Sequence, residues 1–184
     1  MPTQELPVRI REKADTDAAA CLELLMRVHE TDGYPLHLPA EEVPAFFTSG
    51  DEAAAWVADA NGRVVGHVAL HCPAEDPTLE VARRATGLPV ERLALVARLF
   101  VAPELRRSGL GRVLLRHAVA QAPALGRRAV LDVGQTLHSA VALYEAEGWS
   151  RAGELHLPLD PDTILDLWVY VSPDPSLANP IDYR

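Results

Sequence analysis

Apolar and polar positions alternate in "LPVRIRE" (residues 6–12), and that period of two predicts a short strand. The period then lengthens. Leu22, Leu25, Met26 and His29 fall at helical spacing, which predicts a helix over 16–30 with Asp15 as its cap. "TDGYPLHLP" interrupts it with one glycine and two prolines, so 31–39 reads as a loop and "AEEVPAFF" as a short second helix. In "AAAWVADANGRVVGHVALHCP" two apolar strands flank Asn61-Gly62, the dipeptide favoured in tight type I′ hairpins. On the second of these strands His67, Ala69 and His71 share one face.

Residues 75–88 predict a connecting helix that stops at Gly87. "RLALVARLFVAP" is almost continuously apolar, as expected of a strand buried on both faces. From Leu110 the spacing turns helical again, through Val113, Leu114, His117 and Ala118. "RRAVLDV" predicts a strand, "HSAVALYEAEGW" a helix with Gly148 at its C-terminal cap, and "ILDLWVYV" the last strand. The order is β-α-α-β-β-(α)-β-α-β-α-β-β, without internal repeats. A hairpin followed by βαβ units predicts an α/β fold, one domain over residues 1–172, with a mixed sheet and helices on both faces. The proline-rich tail, 173–184, is either a loose end or an arm packing on a partner, which leaves a homodimer open.

Composition narrows the class. A chain of 184 residues suits one domain, and 48% hydrophobic with 23% charged residues excludes wholesale disorder. The apolar runs are too short to span a bilayer, and no charged segment precedes an apolar stretch near Met1, so the expectation is a cytoplasmic protein without membrane contact. Cys21 and Cys72 make neither a disulfide framework nor a metal-ligand spacing, and read as small buried hydrophobes. A His67/His71 pair lacks a third ligand, so no metal is expected. A net charge of −9 argues against nucleic acid as a partner. The charge is uneven, however. From Arg98 to Arg116 the arginines Arg98, Arg106, Arg107, Arg112 and Arg116 face one acid, Glu104. That stretch is either a solvated helix face or a patch for an anionic small molecule.

The turn inside it favours the ligand. In "LFVAPELRRSGLGRVLLR" an apolar strand ends at Ala102-Pro103, and Gly109 and Gly111 open a helix just after Arg106 and Arg107. A helix N-terminus presents free backbone N–H groups, glycine lets a phosphate approach them, and arginine adds charge-assisted hydrogen bonds. A nucleotide fits less well than another diphosphate. No P-loop lysine follows the glycines, the sole lysine being Lys13, and no acid is placed for a ribose.

"LFVAPELRRSGLGRVLLRHAV" resembles the acyl-CoA-binding segment of the GNAT superfamily of N-acyltransferases. "SAVALYEAEGW" resembles that superfamily's next motif, a helix that carries a tyrosine and ends in Gly-aromatic. The strand order matches as well, over residues 6–171. The resemblance implies a single-domain GNAT-like fold with a mixed, mostly antiparallel sheet, acetyl-CoA as cosubstrate, and transfer of the acetyl group to a primary amine by direct attack. It implies that Leu99, Phe100 and Val101 run beside the pantetheine arm, with the backbone of Leu99 and Val101 pairing to it. Arg106, Arg107, Ser108, Gly109, Leu110 and Gly111 would cradle the pyrophosphate. Arg112 would reach another phosphate or serve as a plain surface arginine. Tyr144 would protonate the departing thiolate as general acid.

Two positions depart from the pattern. Where many members carry a glutamate base stands Leu95, and where many carry an asparagine that holds the cofactor arm stands Leu137, so Ser139 or backbone must substitute. Candidates for the missing base are Glu30 and Asp32, with His29 and Tyr34, from "VHETDGYP", and His71 with His67 on the third strand. The amine losing its proton to water is the other option. Glu30, Asp32, Glu41 and Glu42 near the expected entrance favour a cationic amine acceptor, whether small molecule or peptide. The two lost polar positions also admit a non-catalytic acyl-CoA-binding sensor or interaction module. Retention of Tyr144 weighs for the enzyme.

Overall fold

Asn61 and Gly62 both take positive φ, 53° and 84°, as a two-residue type I′ turn requires. Asp59 Oδ1 accepts the Gly62 amide at 2.6 Å and closes the turn. It joins β2 (Glu52–Ala60) to β3 (Arg63–His71) in antiparallel register, with Val57 opposite His67, and β1 (Val8–Glu12) adds antiparallel to β2. The computed structural model describes residues 7–174. The chain falls into two compact units, one made of the residues up to Pro73 with Val96–Gln121, the other of Ala74–Leu95 with the chain from Ala122 on.

In the first unit the first helix departs from expectation. α1 runs Ala18–Asp32, two residues later than predicted, and Asp15 caps nothing. Asp17 is the working acid: its carboxylate accepts the Ala14 amide at 2.7 Å and pairs with Arg11 at 2.7 Å, and Arg11 also reaches Asp59 at 2.9 Å. The buried stripe is Cys21, Leu24, Leu25 and Val28, while Leu22, Met26 and His29 are half-buried. Apolar residues crowd 21–28 so densely that their period cannot choose the stripe's centre; packing does. Helices cover both faces of β3. α2 (Val43–Thr48) sets Phe47 against His67 with ring centroids 5.4 Å apart. On the opposite face α4 (Leu110–Gln121) comes so close that a Cβ on Gly66 would lie 2.8 Å from Leu114 Cδ1.

β4 (Leu93–Val101) runs through both units. Its first residues pair in parallel with β5 (Arg128–Gly134), Leu93 opposite Arg128 and Leu95 opposite Val130. Just past its end, the Ala102 amide reaches the Val65 carbonyl of β3 at 2.8 Å. β4 is not buried on both faces as its sequence predicts: Ala97, Arg98, Leu99 and Val101 stay half-exposed. At Arg98 φ is 52°, which breaks the regular strand there.

In the second unit α3 (Pro77–Thr86) starts on the Asp76 carboxylate, which accepts the Thr78 and Leu79 amides at 2.8 and 3.2 Å, and ends at Gly87 with φ 74°. Its Leu79 and Ala82 pack with Leu93, Val130, Val169 and Val171. β6 (Ser150–Asp160) and β7 (Thr163–Val171) form an antiparallel hairpin, and β7 pairs with β5. Tyr170 points to the other face of β7, where Tyr144 of α5 (His138–Ala146) meets it at 6.2 Å. The strand order β1-β2-β3-β4-β5-β7-β6 gives the expected α/β fold with a mixed seven-stranded sheet, mostly antiparallel. Of the tail, residues 175–184 lie outside the described residues.

Candidate functional site

The turn from β4 into α4 is tied by short-range bonds. The Leu105 amide donates to the Ala102 carbonyl at 2.9 Å, and Ser108 Oγ donates to the Leu105 carbonyl at 2.5 Å while accepting the Leu110 amide at 3.3 Å. Arg107 and Gly109 both take positive φ, 61° and 84°. For the arginine this is a strained conformation, costing roughly 1–2 kcal/mol. A Cβ on Gly109 would meet nothing within 4 Å, and one on Gly111 would first touch Val101 Cγ2 at an ordinary 3.8 Å. Packing therefore demands neither glycine. Gly109 serves its backbone conformation, and together they leave a bare approach to the first amides of α4, which have no acceptor inside the helix. The residues present fit a diphosphate.

The five arginines do not form one patch. Arg98 turns away to the end of α2, where Nη2 donates to the Phe46 and Ser49 carbonyls at 2.9 and 3.2 Å and the guanidinium lies 4.1 Å from the Phe46 ring centroid. Arg106 pairs with Asp32 at the end of α1. Arg107 and Arg112 are exposed beside the turn. Along β4, Leu99 and Val101 are half-exposed and Phe100 is buried.

The base candidates fare differently. His67 is fully buried, and its Nδ1 lies 2.7 Å from the Arg98 carbonyl. A carbonyl only accepts, which assigns the proton to Nδ1 and leaves the Nε2 lone pair, buried and unpartnered, as an acceptor. Burial lowers the His67 pKa to about 4, so the ring is neutral. His71 is also buried with Nε2 unpartnered, and burial, then the Arg98 charge, lower its pKa. Glu30, Glu41 and Glu42 are exposed, while Asp32 is occupied by Arg106. Tyr34 stands edge-on to Phe46 at 6.2 Å, and His29 Nδ1 is a buried atom without a partner. Cys21 is buried as expected; Cys72 is only partly so.

In the second unit Tyr144 is half-buried, its ring 6.0 Å from Trp149 and 6.2 Å from Tyr170. Surrounding protein, and secondarily the Asp132 carboxylate, push its hydroxyl up to about 12, so it keeps its proton at neutral pH. Tyr170 is held in turn, donating to Glu145 Oε1 at 2.9 Å and accepting from Arg151 at 3.2 Å. Leu95 packs on the cluster beneath α3, Leu137 lies against Gly134, and Ser139 is exposed in the first turn of α5. Sequence reasoning passed over Asp132, whose carboxyl accepts Thr78 Oγ1 at 2.7 Å and is raised in pKa by the protein around it. A lone acid inside the apolar "AVLDV" was the available signal.

The model of the acetyltransferase (GNAT) family matches residues 19–149, a span holding both the glycine turn and Tyr144. The chain belongs to the GNAT family. Among curated relatives, N-acetyltransferase family 8 member 3 of Rattus norvegicus is 31% identical over 120 residues, 65% of this chain and 48% of the relative. The chain thus spans about half the length of the curated relatives it matches. Solved structures agree in fold. The ribosomal-protein-S18-alanine N-acetyltransferase from Escherichia coli matches with a TM-score of 0.65 and 20% identity, over 91% of this chain and 94% of its own. Arabidopsis thaliana NAA60 in complex with acetyl-CoA also gives 0.65 and 20%, over 90% and 97%. Among the described residues of this GNAT chain, no helix is long and apolar enough to cross a membrane, and no group of three or more His, Cys, Asp or Glu is arranged to hold a metal.

Proposed function

We propose that this chain is an N-acetyltransferase that moves an acetyl group from acetyl-CoA to a primary amine. The observation that carries the reading is the glycine turn, with its positive φ at Gly109, its open approach to the α4 amides and its flanking arginines. Bound acetyl-CoA supplies an acetyl group activated as a thioester. The chain's own residues do the rest. Leu99 and Val101 offer backbone groups to the pantetheine arm, and Phe100 anchors that strand in the core. Arg106, Arg107, Ser108, Gly109, Leu110 and Gly111 receive the pyrophosphate, with Arg112 and Ser139 as outlying contacts.

Tyr144 is the proton donor to the leaving sulfur. Its hydroxyl sits near 12, above the roughly 8.5 of an ordinary thiol, so complete transfer in water would run uphill. Tyr144 therefore acts first as a hydrogen-bond donor, and the proton follows as the same dry surroundings raise the basicity of the sulfur. For the acceptor's proton the protein offers weak bases only. Glu30 is an exposed carboxylate, Asp32 is ion-paired, and His71 is buried with a lowered pKa. The ammonium loses its proton to water. Glu30, Glu41 and Glu42 at the surface favour a cationic acceptor, small molecule or peptide.

A thiol-release assay over an amine panel tests the reading. Tyr144→Phe should lower kcat roughly 10²-fold, the lower end for general acid catalysis, with CoA affinity unchanged. CoA binding without thiol release for any amine would instead make the protein a non-catalytic acyl-CoA sensor or interaction module.

A further inference from the structure

Two ion pairs join α1 to the turn before α4. Asp32, the last residue of α1, pairs with Arg106. One turn earlier Arg27 pairs with Glu104 at 2.6 Å, and the other oxygen of Glu104 meets Arg63 of β3. The Arg106–Asp32 pair uses one nitrogen, Nη2, and one oxygen, Oδ2, and its side chains remain 39% and 37% exposed. A guanidinium has five N–H donors in a fork, so Arg106 is far from saturated. The first arginine of the anion turn is thus engaged by an acid of the same chain.

We propose that Arg106 exchanges Asp32 for the diphosphate of the donor, and that this exchange releases the end of α1. The proposal rests on the acyl-CoA reading of the turn. A diphosphate offers the guanidinium paired, fully charged acceptors, whereas a single exposed carboxylate contact is weak. The incoming charge also repels Asp32, which rehydrates at little cost because it is already exposed. Arg27–Glu104 still holds the body of α1, so the release is confined to Asp32 and the few residues after it. Gly33 comes next, with φ 70° and its amide on the His29 carbonyl at 2.8 Å. Beyond it Tyr34 stands edge-on to Phe46, and Phe46 lies under the guanidinium of Arg98 from β4. Donor occupancy is thereby reported to the segment leading from α1 to α2.

Calorimetric titration of the wild type and Asp32→Asn with CoA, and with S-acetylpantetheine, which lacks the diphosphate, tests this. Asp32→Asn should bind CoA about two- to five-fold tighter, the scale of one exposed ion pair, with S-acetylpantetheine affinity unchanged. Amide exchange at residues 31–34 should rise in the wild type when CoA binds, and be raised already in ligand-free Asp32→Asn. Unchanged or weaker CoA binding by Asp32→Asn, or equal shifts for both ligands, would overturn the exchange while leaving the acyl-CoA reading intact. Wild-type protein that fails to bind CoA would overturn both.

Discussion

At the scale of single residues, burial decides chemistry that residue type leaves open. His67 is neutral because its folded pKa, about 4, lies below the ordinary 6.5. Between those values the unfolded chain binds more protons than the folded one, so the stabilisation is complete above pH 6.5 and is lost as pH falls toward 4. At 1.36 kcal/mol per pKa unit the loss is about 3 kcal/mol. His71 and His117 shift in the same direction, so several groups share the acid limb. Urea unfolding at pH 7.5 and 4.5 should show His67→Gln losing about 2–3 kcal/mol less than the wild type over that interval. An identical loss in both proteins would mean that His67 does not titrate in this window. Sequence placed His67 and His71 on one face correctly, yet periodicity carries no information on which nitrogen holds a proton.

Among the elements, glycines of different purpose can be separated. A Cβ on Gly66 would meet Leu114 Cδ1 at 2.8 Å, Ala58 Cβ at 3.3 Å and the Phe100 carbonyl at 3.4 Å, so Gly66→Ala forces the Leu114 side chain to shift in a tightly packed spot. The expected cost is about 1–3 kcal/mol, seen as a lower melting temperature. Gly109 has open space around it, so Gly109→Asp should cost only the roughly 1–2 kcal/mol of its positive φ yet lose CoA affinity in calorimetry, since it sets a like charge in the path of the proposed diphosphate. Global unfolding of Gly109→Asp would assign that glycine to packing. The turn glycines Gly62, Gly87 and Gly148 were all legible in sequence, and each has positive φ. β6 was read only as a place in the order, although Leu155, Leu157 and Leu159 alternate with Glu154, His156, Pro158 and Asp160 as an edge strand with one half-buried face does.

For the whole molecule, charge gave the least transferable expectation. The arginine-rich stretch is contiguous in sequence, but Arg98 serves α2 and Arg106 serves α1, so its charges do not act as one patch. A net charge of −9 still steers cations over longer range. The kcat/KM of a diamine should therefore fall more steeply than that of a zwitterionic amino acid as salt rises from about 0.05 to 0.3 M, where the Debye length shrinks past 10 Å. Parallel salt slopes for the two acceptors would remove steering from the account. Leu95 also finds its reason at this scale. α3 covers that part of β4, and a strand position beneath a helix takes an apolar side chain, not an acid.

The sequence by itself determined the order of strands and helices and the turns, and its motifs carried the resemblance to the family. The order and the turns rest on local physics: hydrophobic period, capping, and the positive φ that glycine adopts freely. Only the tertiary structure decided that β7 lies between β5 and β6, that Asp17 and not Asp15 serves the start of α1, and that Asp32 is held by Arg106. It also decided which histidine nitrogen is bare and how firmly Tyr144 keeps its proton. Desolvation and ion pairing depend on neighbours tens of residues away along the chain, and residue spacing does not encode which neighbours those will be.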